Sequence, residues 1–196
     1  TTIECNPLVV DGVAYLTTPS IKLVALNAAT GAPHWEFDPF RGAGGRGVNR
    51  GVTYWESGND HRIFLPAGTY LYAIDAVAGA PIPSFGTNGR IDLRQGLDQD
   101  LFNLSVSASS PGIVWRDLII IGSSVGEGPA PAAPGHIRAF DARTGKRRWI
   151  FHTIPHPGEP GHETWPSEAW KTMGGGHAWG GLTLDVARGL VFAGTG

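Results

Sequence analysis

The chain has 196 residues, of which 16% are charged, and its formal net charge is −2. Without a block of Lys and Arg, it offers little to nucleic acid or to an anionic membrane. With 29 Gly and 15 Pro among 41% apolar residues, it is too hydrophobic for a disordered chain and turn-dense enough for an all-β one.

In chain order, residues 8–16 alternate apolar positions about Asp11-Gly12, a two-residue hairpin signal. An apolar run at 23–26 then enters Ala25-Leu-Asn-Ala-Ala-Thr-Gly31, followed by Trp35. Asn27 can hydrogen-bond the turn backbone, Gly31 supplies positive φ, and Thr30 can add a hydroxyl. The pair recurs: a hairpin over 53–65, then Ala73-Ile-Asp-Ala-Val-Ala-Gly79 with Pro83 in place of Trp. It recurs again about Arg116-Asp117, then Ala139-Phe-Asp-Ala-Arg-Thr-Gly145 with Thr144 and Trp149. Residues 182–193 open a fourth copy. Two hairpins per unit make a four-stranded antiparallel blade, and a period of roughly 50–70 residues makes an array of them. The expected fold is therefore an all-β propeller with tryptophan-docking repeats, about three and a half blades of it. Residues 1–196 read as a partial domain, part of a longer protein that completes the ring.

Several segments invite chemistry. The loop Gly42-Ala-Gly-Gly-Arg-Gly47 has G-x-G-x-x-G spacing, but β-prone residues follow it where a dinucleotide fold needs a helix, so it reads as close backbone approach. His156, Glu159 and His162 are potential metal ligands, yet a stretch so rich in Pro and Gly reads as a stiff surface loop. His34, His61, His136 and His152 have no constellation in the sequence. Cys5 is alone and reads as small apolar filler. Arg50 leaves a Gly-rich loop with a forked donor suited to a carboxylate or quinone oxygen, or equally to a surface ion pair. Trp179, after three glycines, offers a flat face either for stacking on a planar ligand or for packing. Trp35 and Trp149 read as blade-packing residues.

Taken in order, Glu4-x-x-Pro-Leu-Val-Val-Asp-Gly12, Val48-Asn-Arg-Gly-Val52, Gly122-Ser-Ser-Val125, the Ala-x-Asp repeats and Trp170-Lys-x-x-Gly-Gly-Gly-x-x-Trp179 resemble the pyrroloquinoline-quinone (PQQ) dehydrogenases. These are eight-bladed quinoprotein alcohol and glucose dehydrogenases, and this chain resembles their N-terminal portion. Residues 85–94 and 157–165 look most like the glucose side. The resemblance implies Trp179 as the floor under the quinone, with Arg50 at its oxygens and in an electrostatic catalytic role. It implies Glu4 at the cofactor edge, Ser109, Ser124 and His177 at cofactor carboxylates, Gly126 as a close backbone approach, and Glu127 as ligand to Ca2+ or Mg2+. Two departures concern the roof: Gly44-Gly45 stand where alcohol enzymes have adjacent cysteines, and Trp55 stands near where glucose enzymes have a His. Also implied are a sugar or alcohol substrate, a quinone or cytochrome c as electron acceptor, a periplasmic or outer-face location, and a catalytic Asp beyond Gly196. The fragment alone is then expected to be inactive. A non-catalytic propeller that scaffolds or binds proteins of the cell envelope is the alternative.

Overall fold

The structure is a computed structural model and describes residues 3–128 and 131–196. The first blade joins β1 (Leu8–Val10), β2 (Val13–Thr17), β3 (Leu23–Asn27) and β4 (Pro33–Phe37) in that order. The second joins β5 (Thr53–Ser57), β6 (Asp60–Ala67), β7 (Tyr70–Asp75) and β8 (Arg90–Asp92). A short pair, β9 (Val106–Ser107) with β12 (Ser124–Val125), flanks the third blade. That blade runs β10 (Ile113–Trp115), β11 (Leu118–Ile121), β13 (Ile137–Asp141) and β14 (Arg147–Phe151). After a short helix α1 (Ala169–Thr172), β15 (Leu182–Asp185) and β16 (Leu190–Ala193) form the hairpin of a fourth unit.

The turn chemistry read from the sequence is present atom by atom. The Oδ1 atoms of Asn27, Asp75 and Asp141 accept the backbone N–H groups two and three residues on. Gly31, Gly79 and Gly145 close these turns by donating to the Asx carbonyl. The Thr144 hydroxyl donates to Asp141 Oδ1, while Thr30 Oγ1 accepts the Ala32 N–H. Asp11 and Gly12 have φ of 47° and 78°, as a primed hairpin turn requires.

Blades are held by side chains that alternate along strands buried on both faces. Ile63 and Leu65 face the first blade, and Phe64 faces the third. Likewise Ile119 and Ile121 face the second blade, while Ile120 faces the fourth hairpin. A one-residue register slip would reverse every one of these contacts. The Trp35 ring lies over the turn of the next blade: its Nε1–H donates to the Ala76 carbonyl, and a Cβ on Gly79 would meet the ring at 2.5 Å.

The second blade departs from the repeat. Its fourth strand starts at Arg90, well past Pro83, because Pro81 manages only an isolated bridge to Ile74. Phe85, fully buried against Phe64 at 5.5 Å, fills that blade edge, and Ile91 covers Gly145 where Trp35 covers Gly79. Trp149 is 37% exposed, with a groove of about 670 Å³ lined by Ile137, Phe151 and Val191 beside it.

Candidate functional site

Glu4, Arg50, Ser109 and Trp179 each lie three or four residues before the first strand of their own unit. The backbone joins these positions side by side: Asn6 N–H donates to Arg50 O, Arg50 N–H to Ser109 O, and Ser110 Oγ to Trp179 O. Four successive units therefore contribute one residue each to a common mouth.

Asn49 fixes the Arg50 loop. It is 6% exposed, donates to Pro66 O, and through Oδ1 accepts from the Thr17 hydroxyl and the Gly51 N–H. The loop is thus tied to the first blade by one bond and to the second by another. Ile21, in the same wall, has φ of 60°, a strained state for a β-branched residue that costs about 1–3 kcal/mol.

From that loop the Arg50 guanidinium donates to Ser109 Oγ at 3.0 Å and approaches Glu4 Oε2 at 3.7 Å. Its Cζ lies 5.1 Å from the centroid of the Trp179 ring, and Trp179 is 42% exposed. Arg50, Ser109, Ser124 and Trp179 line one cavity of about 300 Å³. Glu4 lines an adjoining cavity of about 360 Å³, and the two share Ile21, Arg46, Gly47 and Val48 as a wall. A part-exposed indole, a guanidinium over its ring and hydroxyls lining the same cavity suit a planar, anionic ligand. The indole supplies stacking area, and the forked donors suit oxygens in the ring plane. The residues present therefore fit a quinone bearing carboxylates.

The remaining expected residues form a second group behind this mouth. His177 is 2% exposed; its Nδ1 accepts the Val125 N–H at 3.0 Å, so its Nε2 carries the proton and faces Glu127 Oε1 at 3.3 Å. Val125 pairs with Val106 and lies next to Ser124, which joins this group to the mouth. Glu127 is one oxygen donor, exposed, where calcium takes six to eight oxygens. Within the chain, a Cβ on Gly126 would find only ordinary contact with Ala132 at 3.5 Å.

Trp55, which stands near where glucose enzymes have a His, is 3% exposed, and its Nε1–H donates to the Arg116 carbonyl across the seam to the third blade. One expectation from sequence needs correction. His136 and His152, read as without a constellation, and His156, read as part of a stiff surface loop, bring one nitrogen each to within 4.8 Å of one another. The register Ile137↔Phe151, carried one step further, sets His136 opposite His152. That pairing was implicit in the alignment of Ala139 with Trp149.

The fold defines a bladed all-β protein whose successive units open onto one mouth. The chain belongs to the PQQ-dependent family described as glucose/ethanol/alcohol dehydrogenase, beta-propeller domain, which it matches over residues 1–196. It is 34% identical to the dehydrogenase subunit of a quinone alcohol dehydrogenase from Acetobacter aceti, over 98% of this chain and 27% of the relative. Against quinoprotein glucose dehydrogenase A of Acinetobacter calcoaceticus the identity is 26%, over 100% of this chain and 27% of that one. The solved quinohemoprotein alcohol dehydrogenase ADHIIG of Pseudomonas putida HK5 superposes with a TM-score of 0.77 at 29% identity, covering 100% of this chain and 28% of that chain. The chain thus spans about 27% of the length of these curated relatives. Whole-chain identity is higher to the Acetobacter alcohol enzyme than to the glucose enzyme, so the glucose-like segments do not decide the substrate.

Proposed function

We propose that this chain is the N-terminal part of a PQQ-dependent dehydrogenase that oxidises a sugar or an alcohol. The observation that carries the reading is the Arg50–Trp179 pair opening into one cavity with Ser109 and Ser124. PQQ held by these residues would supply the hydride acceptor, and a calcium or magnesium ion would supply Lewis acidity.

The chain's own residues do the holding and the charge placement. Trp179 presents its face as a floor. Arg50 is steadied by Ser109 and Glu4 with its Cζ over the Trp179 ring, and its positive charge would offset negative charge gathering on a ligand oxygen there. Ser109 and Ser124 offer hydroxyls to carboxylates at the rim. Glu127 stands as one cation ligand, oriented by the Nε2–H of His177. The proton-abstracting carboxylate and further cation ligands belong to later blades. The half-exposed edge of the third blade, with Trp149 and Phe151, supports the remainder of the propeller as its partner. The same reading places the enzyme in the periplasm or on the outer face of the cytoplasmic membrane, delivering electrons to a quinone or cytochrome c.

The test is titration of the complete gene product with PQQ and calcium. Dye-linked oxidation of an alcohol or sugar that appears only with both supports the reading. No binding at micromolar PQQ removes it and leaves a scaffold propeller.

A further inference from the structure

Beside the quinone mouth, but separate from it, lies a cluster that the proposed oxidation does not use. Gly135 packs its backbone against His177, and the next residue, His136, points into a pocket of imidazoles. The His152 ring sits 4.7 Å from His136 and only 3.7 Å from His156, nearly parallel to the latter at 9°. Trp170 closes the column 4.8 Å from His156. Among the described residues, five buried polar atoms here have no hydrogen-bond partner: Nε2 of His136, His152 and His156, Thr153 Oγ1 and Trp170 Nε1. Buried polar atoms are normally satisfied, so such a gathering calls for an occupant.

The hydrogen bonds decide what each ring can offer. His152 Nδ1 lies 2.7 Å from Glu159 Oε1 and donates to it, which leaves the Nε2 lone pair open. A carboxylate behind a histidine in this way orients metal-binding imidazoles and raises their basicity. Glu159 also accepts the His156 backbone N–H and so fixes the loop that carries the second ring. Asp98 brings a carboxylate oxygen to 3.8 Å from His152 Nε2. His136 differs: its Nδ1 accepts the Thr153 N–H, so its Nε2 keeps a proton and can only donate.

We propose that His152 and His156, completed by Asp98, form a site for a divalent transition-metal ion of the zinc class, with the His136 Nε2–H donating to a water or anion on that ion. Imidazole nitrogen with one carboxylate suits zinc over calcium. Zinc–nitrogen bonds of about 2.0–2.1 Å bring ligand nitrogens to roughly 3.4 Å apart. In-plane lone pairs of two parallel rings do not converge on one ion, so the rings must tilt toward it by side-chain rotation while Glu159 holds the His156 backbone. The bound ion ties that loop to the end of β14, through His152, and to the Asp98 turn.

The experiment uses the complete gene product, free of PQQ and in excess calcium so that oxygen-rich sites are filled. Zinc is titrated calorimetrically, and cobalt(II) reports geometry through its visible absorption. The expected result is one ion per chain with micromolar or tighter affinity, cobalt bands of a four-coordinate nitrogen–oxygen site, and a higher thermal midpoint with zinc. His156→Ala should weaken binding at least tenfold and Asp98→Asn several-fold, while His162→Ala, in the same loop, leaves it unchanged. His156 sits in a loop, so its variant should keep the wild-type circular dichroism; if it does not, His156→Gln takes its place. No stoichiometric binding, or zinc bound equally by the His156 variant, overturns the proposal.

Discussion

Trp35 and Trp179 are the same side chain in opposite surroundings. At the seam between the first two blades, Trp35 donates its N–H to Ala76, leans on Tyr15 at 5.9 Å, and covers Gly79 so closely that no side chain fits there. At the mouth, Trp179 keeps 42% of its surface open, and its nearest charged neighbour is a guanidinium 5.1 Å from the ring centroid. An indole whose polar edge and face are both used up is structural. An indole anchored by its backbone and left part-exposed at a cavity can serve as a platform, the use proposed for Trp179. Residue type does not tell the two apart; what faces the ring does.

The comparison breaks most readily at the seam. Trp35→Ala should cost about 2–4 kcal/mol, by loss of buried aromatic area and of a hydrogen bond. PQQ affinity of the folded fraction should stay unchanged. Gly79→Ala should destabilise comparably through both clash and a φ of +68°, whereas Gly12→Ala, with φ of +78° but open space around it, should cost only about 1 kcal/mol. Denaturant melts measure all three. Next in size, Trp179→Ala should weaken PQQ binding roughly tenfold to hundredfold, the scale of aromatic stacking on a planar ring, while the melting midpoint hardly moves. Equal unfolding in the Trp35 and Trp179 variants, with equal PQQ affinity, would abolish the distinction.

Two smaller effects sharpen it. Arg50→Lys keeps the charge but loses the fork, and turnover should fall about tenfold with PQQ still retained. Wild-type turnover would take Arg50 out of the chemistry. At the entry to the mouth loop, the N–H groups of Phe40 and Gly42 hold the Asp38 carboxyl below its ordinary value of 3.8. The folded state thus binds fewer protons than the unfolded state, so the contribution of Asp38 is complete above that value and is lost as pH falls below it. Melting midpoints of wild type and Asp38→Asn should differ slightly at pH 6 and converge near pH 3.

Much of this architecture is legible in the sequence because it rests on local chemistry. An Asx residue accepting two successive N–H groups, and a glycine closing the turn, need only four or five consecutive residues. The displaced fourth strand of the second blade was not legible, because Phe85 and Ile91 take over the covering role through contacts with the third blade. At the mouth, Arg50 and Trp179 stood out by their glycine-rich contexts. Asn49 was quoted beside Arg50, but its clamp between Thr17 and Pro66 depends on how two blades meet. The histidine cluster escaped because spacing along one loop was weighed, whereas the strand register brings His136 and His152 together.

The contact of Trp35 on Gly79 also limits how such a chain can be rearranged. Each blade carries half of a lock whose other half belongs to its successor, and the halves differ from seam to seam: indole on Gly79, Ile91 with the Gly86 backbone on Gly145. Blades of this protein are therefore not interchangeable bricks. Gene duplication could have multiplied them, but shuffling their order would demand matched changes on both sides of every new join.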